Sequence, residues 1–176
     1  MTSPKSVVSI AVASIAGIAN TEKPKIYLGT DHAGFELKEK IKSWLKDWGY
    51  DFQDFGTNSP ESCDYPDFIF PVAKAVARDN KDKSKKSRNS RGIILGGSGQ
   101  GEAITANRIK GVRAAVYYGY DKEIVKLSRI HNDANILSFG ARFVSDKEAK
   151  EVLKLWLDTK FEGGRHIRRI QKIDEL

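Results

Sequence analysis

The stretch GIILGGSGQGEAITAN, residues 92–107, joins a short apolar run to a glycine-rich loop and then to a segment of helical character. Four glycines fall among the six residues 96–101, and glycine lets the backbone approach a ligand closely. The N–H groups of such a loop, with the helix N-terminus behind them, form a cradle for negative charge. We interpret the stretch as a buried strand, an anion-binding loop and a helix, in preference to a plain tight turn. The dinucleotide spacing GxGxxG and the P-loop lysine are both absent, which disfavours nucleotide cofactors.

The same alternation of short apolar runs and longer helical segments extends along the chain from residue 25. Strands are predicted over residues 26–29, 50–55, 92–95, 113–118 and 135–139. Helices are predicted over residues 35–48, 67–78, 101–109, 121–130 and 146–159. Because parallel neighbours need crossover connections, this order predicts an α/β fold in which helices cover both faces of a five-stranded parallel sheet.

Length and composition favour one water-soluble domain. The chain has 176 residues, of which 40% are hydrophobic and 30% charged. Its single cysteine, Cys63, allows neither an internal disulfide nor a paired-cysteine zinc site, so a reducing cytoplasm fits best.

The formal net charge of +7 is concentrated in one place, because residues 81–91 contain six Lys or Arg and one acid. This run has no aromatic residue to stack on bases, so we interpret it as a solvated loop insertion and expect no nucleic-acid partner. Residues 1–24 are interpreted as a poorly ordered N-terminal extension, with a secretion signal as the lesser alternative. Their apolar stretch is too short to span a bilayer, and no membrane association is expected.

Several side chains near the predicted strand ends could carry chemistry. Glu102 lies at the start of a helix, where the positive end of the dipole is expected to keep its carboxylate ionised and suited to act as a base. His32 and His131 lie in segments that we assign to strand-end loops, TDHAG and HNDAN. The segment FEGGRHIRRI, residues 161–170, crowds arginines that suit a phosphate, although a solvated basic tail explains it equally well.

Five motifs taken together resemble the ribose-5-phosphate isomerase type B family, which includes the galactose-6-phosphate isomerase subunits. In chain order they are TDHAGFELKE, DFGTNSPESCDYPDF, GGSGQGEAITAN, HNDANILSFGAR and FEGGRHIRRI, within residues 25–173. The resemblance implies a Rossmann-like α/β/α sandwich, no metal or organic cofactor, and active sites assembled between the subunits of a homodimer. Whether dimers pair into a tetramer stays open.

The resemblance also implies roles for individual residues. Asp31 and His131 match residues that open the sugar ring, and Asn132 matches a sugar contact. The expected phosphate-binding residues are His32, Arg142, Arg165 and Arg169. Asp64 and Tyr65 match a substrate-facing loop. The backbone N–H groups expected to hold the enediolate oxygen belong to Gly97, Ser98, Gly99, Gln100 and Gly101.

One position departs from the commonest family pattern. Many members carry a cysteine base directly before the glycine loop, and this chain has Gly96 there. Cys63 does not match that position. A second branch lacks the thiol, carries GGSGxGE and uses its glutamate, so the resemblance implies Glu102 as the base.

The expected reaction is an aldose–ketose isomerisation of ribose 5-phosphate and ribulose 5-phosphate through a cis-enediolate. A tetrose or hexose phosphate is the alternative substrate, because loop residues set the pocket length. A non-catalytic sugar-phosphate sensor is less favoured, since it could dispense with Glu102 and His131. A nucleic-acid-binding protein would instead predict salt-dependent binding that disappears with residues 81–91.

Overall fold

A computed structural model describes residues 23–81 and 90–175. Nearly all of the N-terminal extension assigned to residues 1–24, and most of the predicted loop at 81–91, lie outside these ranges, so those interpretations stay predictions. No helix within the described ranges is both long enough and apolar enough to cross a bilayer.

Five parallel strands form one sheet in the order β2-β1-β3-β5-β4, which confirms the predicted strand number and direction. The strands are β1 Ile26–Thr30, β2 Phe52–Asp54, β3 Arg91–Gly96, β4 Ala114–Tyr117 and β5 Ile136–Gly140.

Helices cover both faces of the sheet, as the sandwich prediction requires. They are α1 Phe35–Asp47, α2 Pro66–Lys81, α3 Gln100–Ala106, α4 Lys122–Asn132, α5 Asp146–Asp158 and α6 Arg165–Glu175. One apolar core packs α1, α4 and α5 against the sheet, and a second packs α2 and α3 against the opposite face.

The strand residues divide between these two cores with the period of two that a strand imposes. Ile26 and Leu28 of β1 enter the first core, while Tyr27 between them enters the second. Because both faces are covered, all five residues of β1 and of β5 are buried. This explains why the strands read as continuous apolar runs rather than as alternating ones.

Two predictions about local structure are wrong, and one segment that the sequence left undecided forms a helix. Residues 165–175 form a helix, α6, where the sequence left a short basic segment undecided. The predicted loop 81–91 is too long at both ends, because Lys81 ends α2 and the largely buried Arg91 begins β3. His131 and Asn132 belong to the last turn of α4 instead of a strand-end loop.

Local chemistry explains why α4 begins and ends where it does. The Asp121 side chain accepts a hydrogen bond from the Glu123 N–H at 2.8 Å and so caps the first turn. Asp133 ends the helix in the left-handed region, with φ of 45°. This end places His131 before β5, at the amino-terminal edge of the sheet.

Candidate active site

The loops that follow β1 and β3 meet at the carboxyl edge of the sheet. These strands are neighbours, and the Thr30 hydroxyl at the end of β1 donates to the Leu95 carbonyl of β3 at 2.9 Å. The chain leaves β1 toward β2 on one side and returns to β3 on the other. Parallel α/β sheets bind their ligands at such a reversal of strand order.

A cavity of about 400 Å³ opens at this point. It brings together eight of the predicted site residues, namely Asp31, His32, Tyr65, Gly97, Ser98, Gly101, Glu102 and Arg142. Ala33 and Phe143 line it as well, and neither is among the residues predicted from the sequence. Neither an alanine nor a phenylalanine carries a chemical signal that motif reasoning could use.

The carboxylate of Glu102 occupies the space beside the backbone of Gly96. A Cβ atom added at Gly96 would lie 1.8 Å from Oε1 and 2.1 Å from Cδ of Glu102. A side chain at position 96 and the observed carboxylate therefore exclude each other. The space that a side chain at position 96 would occupy is here filled by an acid from the next helix.

Glu102 is buried, with 4% of its surface exposed, and it lies in the first turn of α3. Burial raises the pKa of its carboxyl group above the ordinary 4.5, its own backbone N–H lowers the pKa, and the charge of Asp31 raises it. Desolvation is thus the largest effect on this pKa, and the backbone N–H bond at the start of α3 opposes it. A carboxylate with a raised pKa is a stronger base once it is ionised.

The loop after β1 fixes Asp31 and His32. The Asp31 Oδ1 atom accepts from the N–H of Ala33 at 2.9 Å, which caps a short 3₁₀ turn. The Nδ1 atom of His32 accepts from the N–H of Cys63 at 3.3 Å. Since a neutral imidazole carries one proton, this bond leaves the proton on Nε2 as a donor for a ligand.

The glycine loop is held in a shape that needs its glycines. Gly99 has φ of +75°, and a Cβ atom there would meet the Phe139 backbone at 2.9 Å. The buried Ser138 hydroxyl donates to the Gly99 carbonyl at 2.7 Å. The Tyr65 ring packs against Gly101, where a Cβ atom would lie only 2.8 Å from it.

Arg142 follows β5 and brings a cation to the same cavity. Its backbone N–H donates to the Gly97 carbonyl at 3.2 Å, which ties the two loops together. The guanidinium lies over Gly97, with Nη1 3.3 Å from the position of an added Cβ. A cation beside exposed loop amides can bind a phosphate or an oxyanion.

Three of the predicted residues lie beside this cavity and do not line it. Gly99 and Gln100 belong to the glycine loop, and Asp64 is exposed immediately before α2. Four more, His131, Asn132, Arg165 and Arg169, lie elsewhere. His131 lies in the last turn of α4, before β5 begins, whereas Arg142 follows the end of β5. The strand between them spans roughly 13 Å at ~3.3 Å per residue.

His131 instead forms a second cluster with α6. Its ring stacks on that of His166, with centroids 4.6 Å apart and planes 17° from parallel. His166 is buried, and burial, followed by the charges of His131 and Arg165, lowers its pKa. With Glu162, the two histidines place three potential metal-ligand atoms within 4.8 Å of one another. The positive charges of Arg165 and Arg169 also lower the pKa of His166, and they would repel a bound cation.

The sequence profile of the Ribose/Galactose Isomerase family matches residues 26–173. This chain belongs to that family. Ribose-5-phosphate isomerase B of Escherichia coli is 41% identical over 152 residues, which cover 86% of this chain and 95% of the relative.

Solved structures agree with this assignment. Ribose-5-phosphate isomerase B of Clostridium thermocellum is 44% identical with a TM-score of 0.77, and the match covers 86% of this chain and 95% of the other. The Mycoplasma genitalium ribose-5-phosphate isomerase B, solved with bound ribulose-5-phosphate, is 39% identical with a TM-score of 0.77 and coverages of 86% and 94%. The chain is thus an isomerase-family α/β protein whose conserved fold carries the cavity described above.

Proposed function

We propose that this protein interconverts ribose 5-phosphate and ribulose 5-phosphate. The observation that carries the proposal is the carboxylate of Glu102, buried beside the glycine loop in a cavity that also holds Asp31, His32 and Arg142. Family membership supports an isomerisation, and the names of the relatives described above support ribose 5-phosphate as the substrate. The cavity volume lies in the range typical of small-molecule sites.

Glu102 acts as the base in this proposal. Its carboxylate removes the proton from C2 of the open-chain aldose, and the electrons of that C–H bond form the C1–C2 double bond of a cis-enediolate. Backbone N–H groups of the glycine loop, with the Ser98 hydroxyl beside them, stabilise the negative oxygen. Glu102 then returns the proton to C1 and gives the ketose. General base catalysis is worth about 10²–10⁴-fold and one oxyanion donor about 10²–10³-fold.

The four predicted residues that lie away from this cavity reach it from a second copy of the chain. Asp31 and His32 lie at the carboxyl edge of the sheet, and the His131 cluster lies at the other edge of the same subunit. A homodimer that sets one edge against the other would bring His131 and Asn132 to Asp31 for ring opening. It would bring Arg165 and Arg169 to His32 and Arg142 for the phosphate.

Exposed apolar side chains near the cavity and on α6 support such an interface. Phe143 lines the cavity and is 62% exposed, and Ile104 of α3 is 67% exposed. On α6, which carries the two arginines, Ile167 and Ile173 are about half exposed. Apolar surface around a functional site is typical of a face that another subunit covers. The single cysteine is compatible with work in the cytoplasm, which we include in the proposal.

The test is a coupled isomerase assay of the purified protein against phosphorylated tetroses, pentoses and hexoses, with EDTA present throughout. Ribose 5-phosphate should be turned over fastest, and EDTA should leave the rate unchanged. A higher kcat/KM for another sugar phosphate would overturn the substrate assignment, and inhibition by EDTA would overturn the metal-free mechanism.

The Glu102→Gln variant should lose turnover while its affinity for inorganic phosphate stays near that of the wild type. The amide keeps the shape of the side chain and cannot accept the C2 proton. Substantial isomerisation by a correctly folded Glu102→Gln protein would reject the role of the carboxylate.

A further inference from the structure

A second cavity lies at the amino-terminal edge of the sheet, and at about 520 Å³ it is larger than the active-site cavity. It opens where β3, β4 and β5 begin and where α2 ends. Its charged lining consists of six basic residues and two acidic ones: Arg78, Lys81, Arg91, Lys110, Arg113, Arg129, Asp133 and Asp174. The proposed isomerisation uses none of them.

Two of these guanidinium groups are buried. Arg91 is 8% exposed and Arg129 is 6% exposed, and both lie within 6 Å of the Trp156 ring, at 5.2 and 5.8 Å from its centroid. Burial, and next the charge of Arg129, lowers the pKa of Arg91 to about 10. Two cations are thus held close together out of water, an arrangement that is costly without a compensating negative charge.

The two carboxylates that line the cavity already form ion pairs with arginines. Asp133 pairs with Arg129 at 2.8 Å and with Arg113 at 3.1 Å. Asp174 also pairs with Arg113, at 3.1 Å. Outside the lining, Asp79 pairs with Arg78.

Three cations remain without a carboxylate partner among residues 23–81 and 90–175. They are Arg91, Lys81 and Lys110. The Nη1 atom of Arg91 donates to the carbonyls of Trp156 and Leu157 at the end of α5. These bonds hold the guanidinium in place, and the partial negative charge of a helix terminus balances only part of a full positive charge.

We propose that this cavity binds a small phosphorylated metabolite that carries two phosphoryl groups. Each phosphoryl group carries about −1.5 to −2 charges at neutral pH, so two of them match three unpaired cations. The cavity is large enough for a bisphosphorylated compound, at the size that small-molecule sites usually have. None of the described residues that line it is aromatic, which disfavours a nucleotide base as part of the ligand.

The site is distinct from the one that we assign to the isomerase reaction. Arg91 begins β3, whereas Gly96 ends the same strand beside Glu102. The two cavities therefore occupy opposite edges of one sheet and share no lining residue. Binding here needs no turnover, so it can be tested whether or not the isomerase proposal holds.

The experiment is calorimetric titration of inorganic pyrophosphate into the full chain at low ionic strength. An Arg142→Gln background weakens anion binding at the other cavity, and the lysine variants below show which cavity the remaining signal reports. We expect one equivalent of pyrophosphate to bind per chain. Lys110→Gln should weaken binding about tenfold, and Lys81→Gln should do the same, since each removes one charge-assisted contact.

Lys46→Gln is the matched control, because Lys46 is an exposed lysine of α1 that does not line the cavity. It should leave the affinity unchanged. Both lysine variants change exposed residues and should fold normally, which matters because Arg91 also caps α5. An equal loss of affinity with Lys46→Gln would overturn the proposal, as would failure of pyrophosphate to bind at concentrations of about 1 mM.

Discussion

At the scale of single residues, Gly96 and Glu102 depend on each other. The carboxylate lies where a side chain at position 96 would project, so the glycine at 96 and the acid at 102 are two parts of one arrangement. The sequence identified both residues, and the resemblance to the glutamate branch of the family assigned the base. It could not show that they are in contact, because five residues of loop and helix lie between them.

Replacing Gly96 by alanine should displace the carboxylate and leave the fold intact. Gly96 is not in the positive-φ region, and the atoms that clash are the far end of a flexible side chain. We expect kcat to fall by about 10²–10⁴-fold, the range associated with a general base. Circular dichroism and kinetics of the purified variant measure both properties.

Gly97→Ala is the matched control for this change. An added Cβ there would lie 3.3 Å from the guanidinium of Arg142 instead of meeting Glu102. It should therefore raise KM more than it lowers kcat. Equal effects of the two substitutions on kcat would contradict the specific contact between Gly96 and Glu102.

The raised pKa of Glu102 predicts how activity depends on pH. Because the carboxylate must be ionised to act as a base, the acidic limb of kcat/KM should have its midpoint above 4.5, the ordinary glutamate value. A pH–rate profile of the wild type measures this midpoint. A midpoint at or below 4.5 would show that a different group, or an unperturbed one, controls the limb.

The same pKa shift predicts how stability depends on pH. Folded Glu102 keeps its proton to a higher pH than the unfolded chain does, so its ionisation lowers the free energy of unfolding as pH rises through and above about 4.5. The Glu102→Gln variant has no carboxyl group at this position, so its free energy of unfolding does not fall in this way. Urea unfolding at fixed protein concentration should show the variant gaining stability relative to the wild type with rising pH, and a constant difference would contradict the shift.

At the scale of elements, the sequence predicts the strands and five of the six helices to within about three residues at each end. Buried strands read as apolar runs and amphipathic helices as stripes, and both patterns are local. The helix α6 could not be predicted, because Arg165, Arg168 and Arg169 fall within its first five residues and obscure the apolar period. His131 was misplaced for a similar reason, since its neighbours Asn132 and Asp133 are typical loop residues.

An ion pair near the end of α6 adds to the contacts that hold this helix in place. The Arg113 guanidinium donates to both carboxylate oxygens of Asp174, each at 3.1 Å. We expect Asp174→Asn to loosen α6, and with it Arg165 and Arg169, so that KM for the phosphorylated sugar rises several-fold while kcat changes little. The pair is partly exposed, and a contribution of about 1 kcal/mol is the appropriate scale.

Glu175→Gln provides the control for the ion pair, because Glu175 is the exposed acidic neighbour of Asp174. It makes the same change in charge and should leave both kinetic constants unchanged. A rise in KM with Glu175→Gln as large as that with Asp174→Asn would indicate a general charge effect instead of a role for α6.

At the scale of the whole molecule, the strand order and the partition of the site were outside the reach of sequence reasoning. A pattern of strands and helices does not specify that β5 lies between β3 and β4. Nor does it show that the predicted site residues divide between the two edges of the sheet. That division is why a second copy of the chain enters the proposed mechanism, and family resemblance alone had implied it.

Complementation between two inactive variants tests this shared site most directly. Glu102→Gln and His131→Ala should each be inactive as homodimers. A hybrid dimer of the two contains one site with both substitutions and one site with neither, if each site combines Glu102 of one chain with His131 of the other. Hybrids purified through two different affinity tags should therefore show about half of the wild-type specific activity. Hybrids as inactive as their parents would contradict the account, because Glu102 and His131 would then have to act within one chain.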